Sequence, residues 1–308
     1  MSFTHTPERR IAESGPRSDA EQAARIDLAV AYRLVALNGW DDVVYTHISA
    51  SVPNEPGRFL INPFGLSFDE VTASDLVKID IDGNVIGESA HPVNTTGFAL
   101  HAAVHAARDD AACVMHLHVR EAIAVSTQPH GVLPASQHAM RFHGHLAYHD
   151  YEGLAFSPAE GERLVASFGV HRAMLLRNHG PLTLGRTIAE AYVLTDMLVK
   201  ACDIQLRALA GVGKMIVPTP EVVTRTAAQL HDDDAIEGAT GRRRASSGRS
   251  SELVRTCSVA LHVRTRTLSR LLRRQPELMQ QRLRITARLR EPFEHQRACG
   301  LERERAIE

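Results

Sequence analysis

The sequence of 308 residues has little of what marks secreted, membrane-spanning or disulfide-stabilised proteins. Its 4 cysteines lie far apart and form no CxxC pair, so neither a disulfide framework nor a cysteine zinc site is predicted. No window approaches the roughly 18 consecutive apolar residues of a spanning helix. The polar start, MSFTHTPERR, has no apolar stretch of the secretory type. We therefore expect a cytoplasmic protein without a membrane partner.

Lysine and aspartate are absent from the end of the chain, after Lys214 and Asp234 respectively. From Gly241 onward there are 17 arginines and 7 glutamates, although the whole chain has a formal net charge of −1. The glycine- and serine-rich border predicts a linker over residues 218–240 and an Arg-rich tail over 241–308. Three interpretations of the tail stay open: a helix-turn-helix-like DNA contact, a disordered basic extension, or an out-of-frame reading of a GC-rich gene. One helix and a charge count are weak evidence for nucleic-acid binding, so nucleic acid is not an expected partner.

Helical and strand patterns alternate through the first 217 residues, after an N-terminal extension over residues 1–21. Ser18 and Glu21 form a capping box that predicts a helix ending near Gly39. Strand-like runs follow in VVYTHIS, RFLINPF, LVKIDIDGNVIG, CVMHLHV and AMLLRNHG. This interleaving predicts one layered α/β domain over residues 22–217.

A second capping box, Thr187 and Glu190, begins a long helix that is apolar around most of its circumference. Gly211 is the predicted end of this helix. Such a helix is either buried within the chain or packed against another subunit.

Two histidines stand two apart in the predicted strand CVMHLHV. Because residues i and i+2 of a strand face the same way, His116 and His118 are placed to bind one cation. A lone HxH is also typical of an ordinary polar strand face. His179 follows the apolar run AMLLRN and precedes Gly180, so its ring is predicted at a strand end beside a tight turn. Three histidines with one open position form the usual catalytic zinc site, although sequence separation alone does not bring His179 to the pair.

The segments HLHVREA and LLRNHGPLTLG are preceded by NGWDDVVYTHISASVP, FLINPFG and VTASDLVKIDIDG. Together, in this order and over about residues 22–217, they resemble the class II aldolase/adducin family. INPFG, AYHDYEG and RNHG resemble its adducin head branch and the bacterial relatives of that branch. The resemblance implies a three-layer αβα fold with a mostly antiparallel central sheet. It also implies oligomers, often tetramers, with active sites near subunit interfaces, and a divalent metal, usually zinc, on His116, His118 and His179.

The resemblance also exposes a missing carboxylate. Aldolases of this family carry a Ser-Ser-Glu run in which the serines bind substrate phosphate and the glutamate transfers a proton. Here Thr95 and Thr96 match the serines, whereas Gly97 matches the glutamate and has no side chain for acid–base chemistry. In the segment Thr46–Ser49, His47 stands where the aldolases have the asparagine of a phosphate loop. We expect Thr95, Thr96 and His47 to contact the substrate.

Replacements for the lost proton carrier are present in AYHDYEG, whose side chains crowd together at a predicted strand end. His149 and Tyr151 are the catalytic candidates, although a plain strand end and turn explains the same residues. His101 and His105, one helical turn apart, form a second pair with metal-binding spacing. Such a pair more often lies on a partly exposed helix face.

Two functions compete at this stage. The first is a metal-dependent lyase-like enzyme, of aldolase, epimerase or decarboxylase type, acting on a small hydroxy-carbonyl or sugar-derived substrate. The second is a non-catalytic, adducin-like binding or assembly module of the actin and cytoskeleton type. The three candidate ligands favour the enzyme, and Gly97 favours the module. In either case we expect a homotetramer.

Overall fold

The computed structural model describes residues 10–11, 15–153, 158–211 and 214–231, and the statements below concern these residues. The predicted Arg-rich tail and the second part of the predicted linker lie outside them. The side chains of Thr95 and Thr96 also lie outside the described part.

Nine strands and seven helices occur in this part of the chain. The strands are β1 (Arg10–Ile11), β2 (His47–Ser51), β3 (Arg58–Ile61), β4 (Val77–Asp80), β5 (Val85–Ile86), β6 (Cys113–His116), β7 (Leu146–His149), β8 (Ala173–Leu176) and β9 (Gly180–Gly185). The helices are α1 (Asp19–Asn38), α2 (Thr95–Ala107), α3 (Arg120–Ser126), α4 (Gln137–Met140), α5 (Pro158–Phe168), α6 (Ile188–Leu209) and α7 (Pro220–His231). None of these helices has the length and apolarity needed to cross a membrane.

The strands form one mixed sheet in the order β1-β5-β4-β3-β2-β6-β9-β8-β7. Six of its eight pairings are antiparallel, and the two outermost pairings, β1 with β5 and β7 with β8, are parallel. The predicted, mostly antiparallel central sheet is therefore confirmed.

Side chains that alternate along β6 show how the layers are stacked. Val114 lies in a buried cluster with side chains of α2 and α5, whereas Met115 lies in the cluster built with α1, α3 and α6. Full burial of an aliphatic side chain of this size stabilises the fold by roughly 1.5–3 kcal/mol, so both faces of the sheet hold helices in place. The predicted three-layer αβα architecture is confirmed, and His116 faces the layer of α2 and α5 because it lies two residues after Val114.

The first helix begins and ends where its sequence predicts. Ser18 Oγ accepts a hydrogen bond from Glu21 N at 3.1 Å, and Gly39 ends α1 in the left-handed conformation at φ 69°. The Glu21 carboxylate does not return to the cap. It is buried and bonds to Arg25 at 2.8 Å and to Lys78 at 3.0 Å, which ties α1 to β4.

Two predicted element ends differ from the structure. The strand through CVMHLHV ends at His116, so His118 lies after the strand and not within it. Helix α6 is capped by Thr187 as predicted, but it ends at Leu209 with Ala210 in the right-handed conformation. The prediction of Gly211 as the end of this helix is wrong, because no left-handed residue is needed at that position.

The apolar composition of α6 is explained largely within one chain. Its buried residues include Leu194, Leu198 and Cys202, and the helix packs against β6, β9, α1, α3 and α4. An internal helix between a sheet and three other helices needs apolar side chains on several sides. The helix is therefore no independent evidence for a subunit interface, and the homotetramer stays a prediction.

Two predicted boundaries run through ordered structure. Helix α7 lies in the segment predicted as a linker, and its Val223 and Ala227 are buried. Strand β1 lies in the predicted N-terminal extension and pairs with β5. Glycine- and serine-rich sequence begins only after α7, which explains why composition alone merged the helix with the linker.

Candidate metal centre

Three histidine rings meet beside the sheet. His116 is the last residue of β6, His118 lies two residues beyond it, and His179 lies in the turn between β8 and β9. The rings of this histidine triad (His116, His118, His179) are 4.7–5.1 Å apart between centroids. One ring nitrogen from each residue lies within 4.8 Å of the other two. The fold thus brings His179 to His116 and His118, which the sequence separation alone left open.

The nitrogens that face away from this meeting point are already in use. His118 Nδ1 donates to Asp42 Oδ2 at 2.8 Å, and His116 Nδ1 donates to Pro181 O at 3.1 Å. Because both oxygens only accept, the protons are on Nδ1 and the Nε2 atoms keep their lone pairs.

The triad has the spacing of a metal site. His118 Nε2 and His179 Nε2 are 3.0 Å apart. Two nitrogens that bind one zinc ion at about 2.0–2.1 Å in a tetrahedron lie roughly 3.3 Å apart. Neutral imidazoles with convergent lone pairs suit a borderline-soft divalent cation, so the residues fit a divalent metal.

Burial favours the neutral form of His116 and His179. Desolvation lowers the pKa of His179 to about 4, with a further contribution from the neighbouring His118. Desolvation also holds the pKa of His116 well below its usual range, again helped by the other two rings. Only neutral imidazole binds a metal, so these two rings can bind a cation at neutral pH without first losing a proton.

A tight turn presents His179. Asn178 adopts the left-handed conformation at φ 59°, which turns the chain out of β8. A Cβ built on Gly180 would overlap the carbonyl oxygen of Leu117, so only glycine permits β9 to approach the segment between His116 and His118 this closely. The NHG sequence is therefore required by the turn as well as by the ligand.

Comparison with known proteins accords with this geometry. The family model described as "Class II Aldolase and Adducin N-terminal domain" matches residues 26–206. The chain belongs to the class II aldolase and adducin family.

Two relatives show both branches of the family. A Caulobacter vibrioides protein that carries the class 2 aldolase name is 49% identical over 207 residues, which is 67% of this chain and 80% of that protein. Rat alpha-adducin is 41% identical over 207 residues, or 66% of this chain. The match spans only 28% of the length of alpha-adducin.

Two solved structures share the fold at appreciable identity. An aldolase II superfamily protein from Pseudomonas syringae has a TM-score of 0.70 at 42% identity, over 82% of this chain and 95% of that chain. The L-fuculose 1-phosphate aldolase from Glaciozyma antarctica has a TM-score of 0.63 at 31% identity, over 72% and 88% of the two chains.

Gly97 and His47, the two positions at which the resemblance implies a departure from the aldolase pattern, lie against each other in the structure. Gly97 lies in the first turn of α2, where its N–H donates to the capping Asn94 Oδ1 at 3.1 Å. A Cβ built on Gly97 would overlap Nε2 and Cδ2 of the His47 ring. The imidazole of His47 therefore fills the space over Gly97, and a side chain at one position excludes the side chain present at the other. From the sequence alone, the two substitutions look independent of each other.

His47 stands beside the histidine triad in a fixed orientation. It pairs directly with His116 across β2 and β6, so the two side chains lie on one face of the sheet. Its Nδ1 donates to Asn62 Oδ1 at 3.1 Å, and the Tyr32 hydroxyl lies 3.0 Å from the same oxygen. This bond leaves the Nε2 lone pair directed toward Gly97. Burial lowers the pKa of His47 to about 4.

The backbone before His47 is strained. Val43 and Thr46, both β-branched, have φ values of 55° and 76°, and no described residue forms a hydrogen bond with the buried Thr46 Oγ1. Conformations of this kind cost on the order of 1–3 kcal/mol each, and they persist where the surrounding structure imposes them. The strained segment carries Asp42 toward His118 and His47 toward Gly97.

The two catalytic candidates from AYHDYEG occupy different surroundings. The ring of Tyr151 is half exposed and its centroid is 6.0 Å from that of His179. The ring of His149 is buried: its Nδ1 is 3.0 Å from Ser167 Oγ, and its Nε2 is 3.7 Å from Glu152. Among the described residues, His149 makes no ring contact with the triad. Tyr151 is therefore the better placed of the two.

The second histidine pair is used for folding. Ser49 Oγ lies 2.8 Å from His101 Nδ1 and 2.7 Å from His105 Nε2, while His105 Nδ1 donates to Ala111 O at 2.8 Å. This Ser49 network (Ser49, His101, His105) ties α2 to β2 on the face that also carries the triad. Across the described ranges, the histidine triad is the sole cluster with metal-binding spacing.

Sequence reasoning missed Asp42 and Asn62, which orient His118 and His47 respectively. Both occur within motifs that carried the family resemblance, NGWDDVVYTHIS and FLINPFG, but nothing in their local pattern identified a partner. The predicted substrate contacts of Thr95 and Thr96 stay predictions, because their side chains lie outside the described part.

Proposed function

We propose that the protein is a divalent-metal-dependent lyase of the class II aldolase type, acting on a small hydroxy-carbonyl or sugar-derived substrate. The observation that carries the proposal is the histidine triad, in which two rings have their outward nitrogens fixed by oxygen acceptors. In this proposal His116, His118 and His179 hold the metal, with zinc as the expected ion. A bound divalent ion supplies positive charge that polarises a carbonyl or hydroxyl oxygen.

His47 is the proton carrier in this proposal. It is fixed through Nδ1 by Asn62 and stands next to His116. Its Nε2 points toward the Cβ position of residue 97, from which the side chain of the family glutamate would extend. A neutral imidazole with a free lone pair accepts a proton from a substrate C–H or O–H group and returns it to the product. Tyr151, beside His179, is the second candidate for proton transfer or substrate contact.

A screen on the purified full chain tests the enzyme. We expect about one divalent ion per chain by elemental analysis and metal-dependent carbon–carbon cleavage, epimerisation or decarboxylation of at least one hydroxy acid or sugar phosphate, L-fuculose 1-phosphate included. His47→Gln keeps the metal and lowers turnover about 10²–10⁴-fold. Full turnover by a folded His47→Gln protein excludes His47 as the proton carrier and transfers that role to Tyr151.

A double-mutant cycle tests, without a substrate, whether the side chains at positions 47 and 97 exclude each other. Gly97→Glu alone is expected to lower the melting temperature strongly, because its Cβ overlaps the His47 ring. The double variant His47→Asn/Gly97→Glu restores the aldolase pair and should recover most of that loss. Equal destabilisation of the single and double variants would show that the two positions are not coupled.

The adducin relatives motivate a second candidate, an assembly module of the cytoskeletal type. The 41% identity with rat alpha-adducin supports it. Co-sedimentation with actin filaments, combined with a full complement of metal and no turnover in the screen, would favour this module over the enzyme.

A homotetramer is part of the proposal. Three partly exposed hydrophobic side chains lie near the site. Tyr151 lies beside His179, and Val43 and Tyr45 follow Asp42 by one and three residues in the chain. Exposed aromatic and aliphatic side chains at the rim of a polar centre are typical of subunit interfaces. Light scattering at micromolar concentration should give four times the chain mass, and a monomer mass would exclude this assembly.

A further inference from the structure

We propose that a separate cavity, at the opposite end of β8 from His179, binds a small oxyanion of the phosphate type. The cavity has a volume of about 200 Å³ and opens beside Ala173, the first residue of β8. Its polar lining residues are Arg141, His145, His171, Arg172, Glu190 and His231. This site requires neither the metal nor the proposed lyase activity.

Arg141 is the residue that calls for an anion. It is 5% exposed, its Nη1 donates to Leu230 O at 2.8 Å, and its buried Nε has no hydrogen-bond partner within the described part of the chain. Among the described residues, no carboxylate lies within ion-pair distance of its guanidinium. A guanidinium has five N–H donors, and burying it without a counter-ion is costly. A bound anion would supply the missing acceptors and the missing charge.

Glu190 lines the same cavity but is committed to other arginines. Its carboxylate accepts from Arg172 Nη1 at 2.7 Å and from the backbone N of Arg186 at 2.7 Å, with Arg186 Nε at 3.3 Å. Arg172 also reaches Asp110 at 3.3 Å. The nearby carboxylates are therefore shared among these arginines, and Glu190 acts on Arg141 only at longer range, without a direct ion pair between the two in the described part of the chain.

The histidines hold Arg141 in place and add donors. His231 Nε2 donates to Arg141 O at 2.6 Å, and the His231 ring stacks on that of His145 with centroids 3.7 Å apart. His145 is exposed at the rim, and His171 lies on the α5–β8 loop. Neutral imidazoles donate through one N–H each, and that of His231 is used on Arg141 O. His145 and His171 therefore supply the additional donors around the guanidinium.

The size of the cavity agrees with a phosphate group. One liquid water molecule accounts for about 30 Å³, so the space accommodates an ion of phosphate size together with water. Charge-assisted bonds from a guanidinium fork favour oxyanions with several acceptor oxygens. Free inorganic phosphate and a phosphorylated metabolite present the same chemistry.

Calorimetric titration of the full chain with inorganic phosphate, at constant ionic strength, tests the site. We expect saturable binding of one phosphate per chain that Arg141→Gln weakens tenfold or more. Arg207→Gln is the matched control, because Arg207 is exposed and lies on α6 in an i, i+4 pair with Asp203. It should leave the affinity unchanged. Equal affinity in the wild-type and Arg141→Gln proteins would overturn the proposal.

Two further variants separate this site from the metal centre and from a folding defect. His179→Ala removes a metal ligand, and its phosphate affinity should stay within twofold of wild type. If His179→Ala abolishes binding, the phosphate is bound at the metal centre and the proposal is wrong. Should Arg141→Gln not fold, His145→Ala removes an exposed donor at the rim together with the ring that stacks on His231, and an unchanged affinity in that variant counts against the site. Acetate in place of phosphate should bind at least tenfold more weakly, and equal binding would overturn the phosphate assignment.

Discussion

Two groups of histidines lie on the same face of the sheet and differ in how their ring nitrogens are used. The histidine triad keeps nitrogens that converge on one point, whereas the Ser49 network engages three of its four ring nitrogens with Ser49 and Ala111. Both have metal-binding spacing in the sequence, two apart for His116 and His118 and four apart for His101 and His105. Spacing in the sequence therefore identifies a candidate pair of ligands, whereas the hydrogen-bond partners of the rings determine whether their nitrogens are available to a metal.

The Ser49 network also fixes its own tautomers. Because Ala111 O only accepts, His105 carries its proton on Nδ1, and its Nε2 accepts from the Ser49 hydroxyl. Ser49 Oγ in turn accepts from His101 Nδ1, which leaves a lone pair on His101 Nε2, a buried atom with no hydrogen-bond partner among the described residues. The two hydrogen bonds of Ser49 tie α2 to β2.

Ligand removal gives the largest expected effect. His118→Ala or His179→Ala should abolish the binding of about one divalent ion per chain, since the two Nε2 atoms are 3.0 Å apart at the meeting point. His105→Ala is the matched control and should retain the ion. Elemental analysis after dialysis measures both. Full metal content in the His118→Ala and His179→Ala proteins would reverse the assignment of the two histidine groups.

Truncation in the Ser49 network should act on stability. His101 is fully buried and bonded to Ser49, so His101→Ala is expected to lower the free energy of unfolding by about 2–4 kcal/mol. Metal content should not change. Chemical denaturation with parallel metal analysis checks both outcomes, and metal loss from a folded variant would show that the two groups are not independent.

Asp42 offers a smaller effect on the triad. Its carboxylate accepts from His118 Nδ1 at 2.8 Å and is partly exposed. Asp42→Ala should weaken metal affinity about 10–100-fold, and Asp42→Asn should weaken it less, because an amide oxygen still accepts the proton. Competition with a calibrated chelator measures the affinity. Unchanged affinity in Asp42→Ala would mean that the backbone alone orients His118.

The smallest effect concerns pH. Desolvation lowers the pKa of His105 from 6.5 to about 4, so the unfolded chain binds this proton more tightly than the folded chain. The free energy of unfolding should therefore fall as pH drops from about 6.5 toward 4. His105→Gln should make that fall shallower, whereas the exposed His130→Gln should leave the curve as in the wild type. Denaturant titrations of metal-free protein at several pH values provide the test, and parallel curves for wild type and His105→Gln would contradict it.

Helix ends and the residue types of the candidate site could be predicted from the amino-acid sequence alone. Capping residues Ser18 and Thr187, the left-handed Gly39 and the apolar periodicity act within a few residues, so α1 and the start of α6 were predictable. The family motifs predict His116, His118 and His179 as ligands, and the fold brings the three rings together. Interactions between residues that are close in the sequence can be predicted from the sequence alone.

The free ring nitrogens and the side chain that fills the space over Gly97 depend instead on contacts between distant parts of the chain. Asp42 meets His118 across 76 positions, Asn62 meets His47 across 15, and the ring of His47 fills the space above Gly97, 50 residues away in the chain. These contacts depend on the register between β2 and β6 and on where α2 begins over the sheet. Register is set by packing of whole strands and helices, so no short pattern in the sequence encodes it.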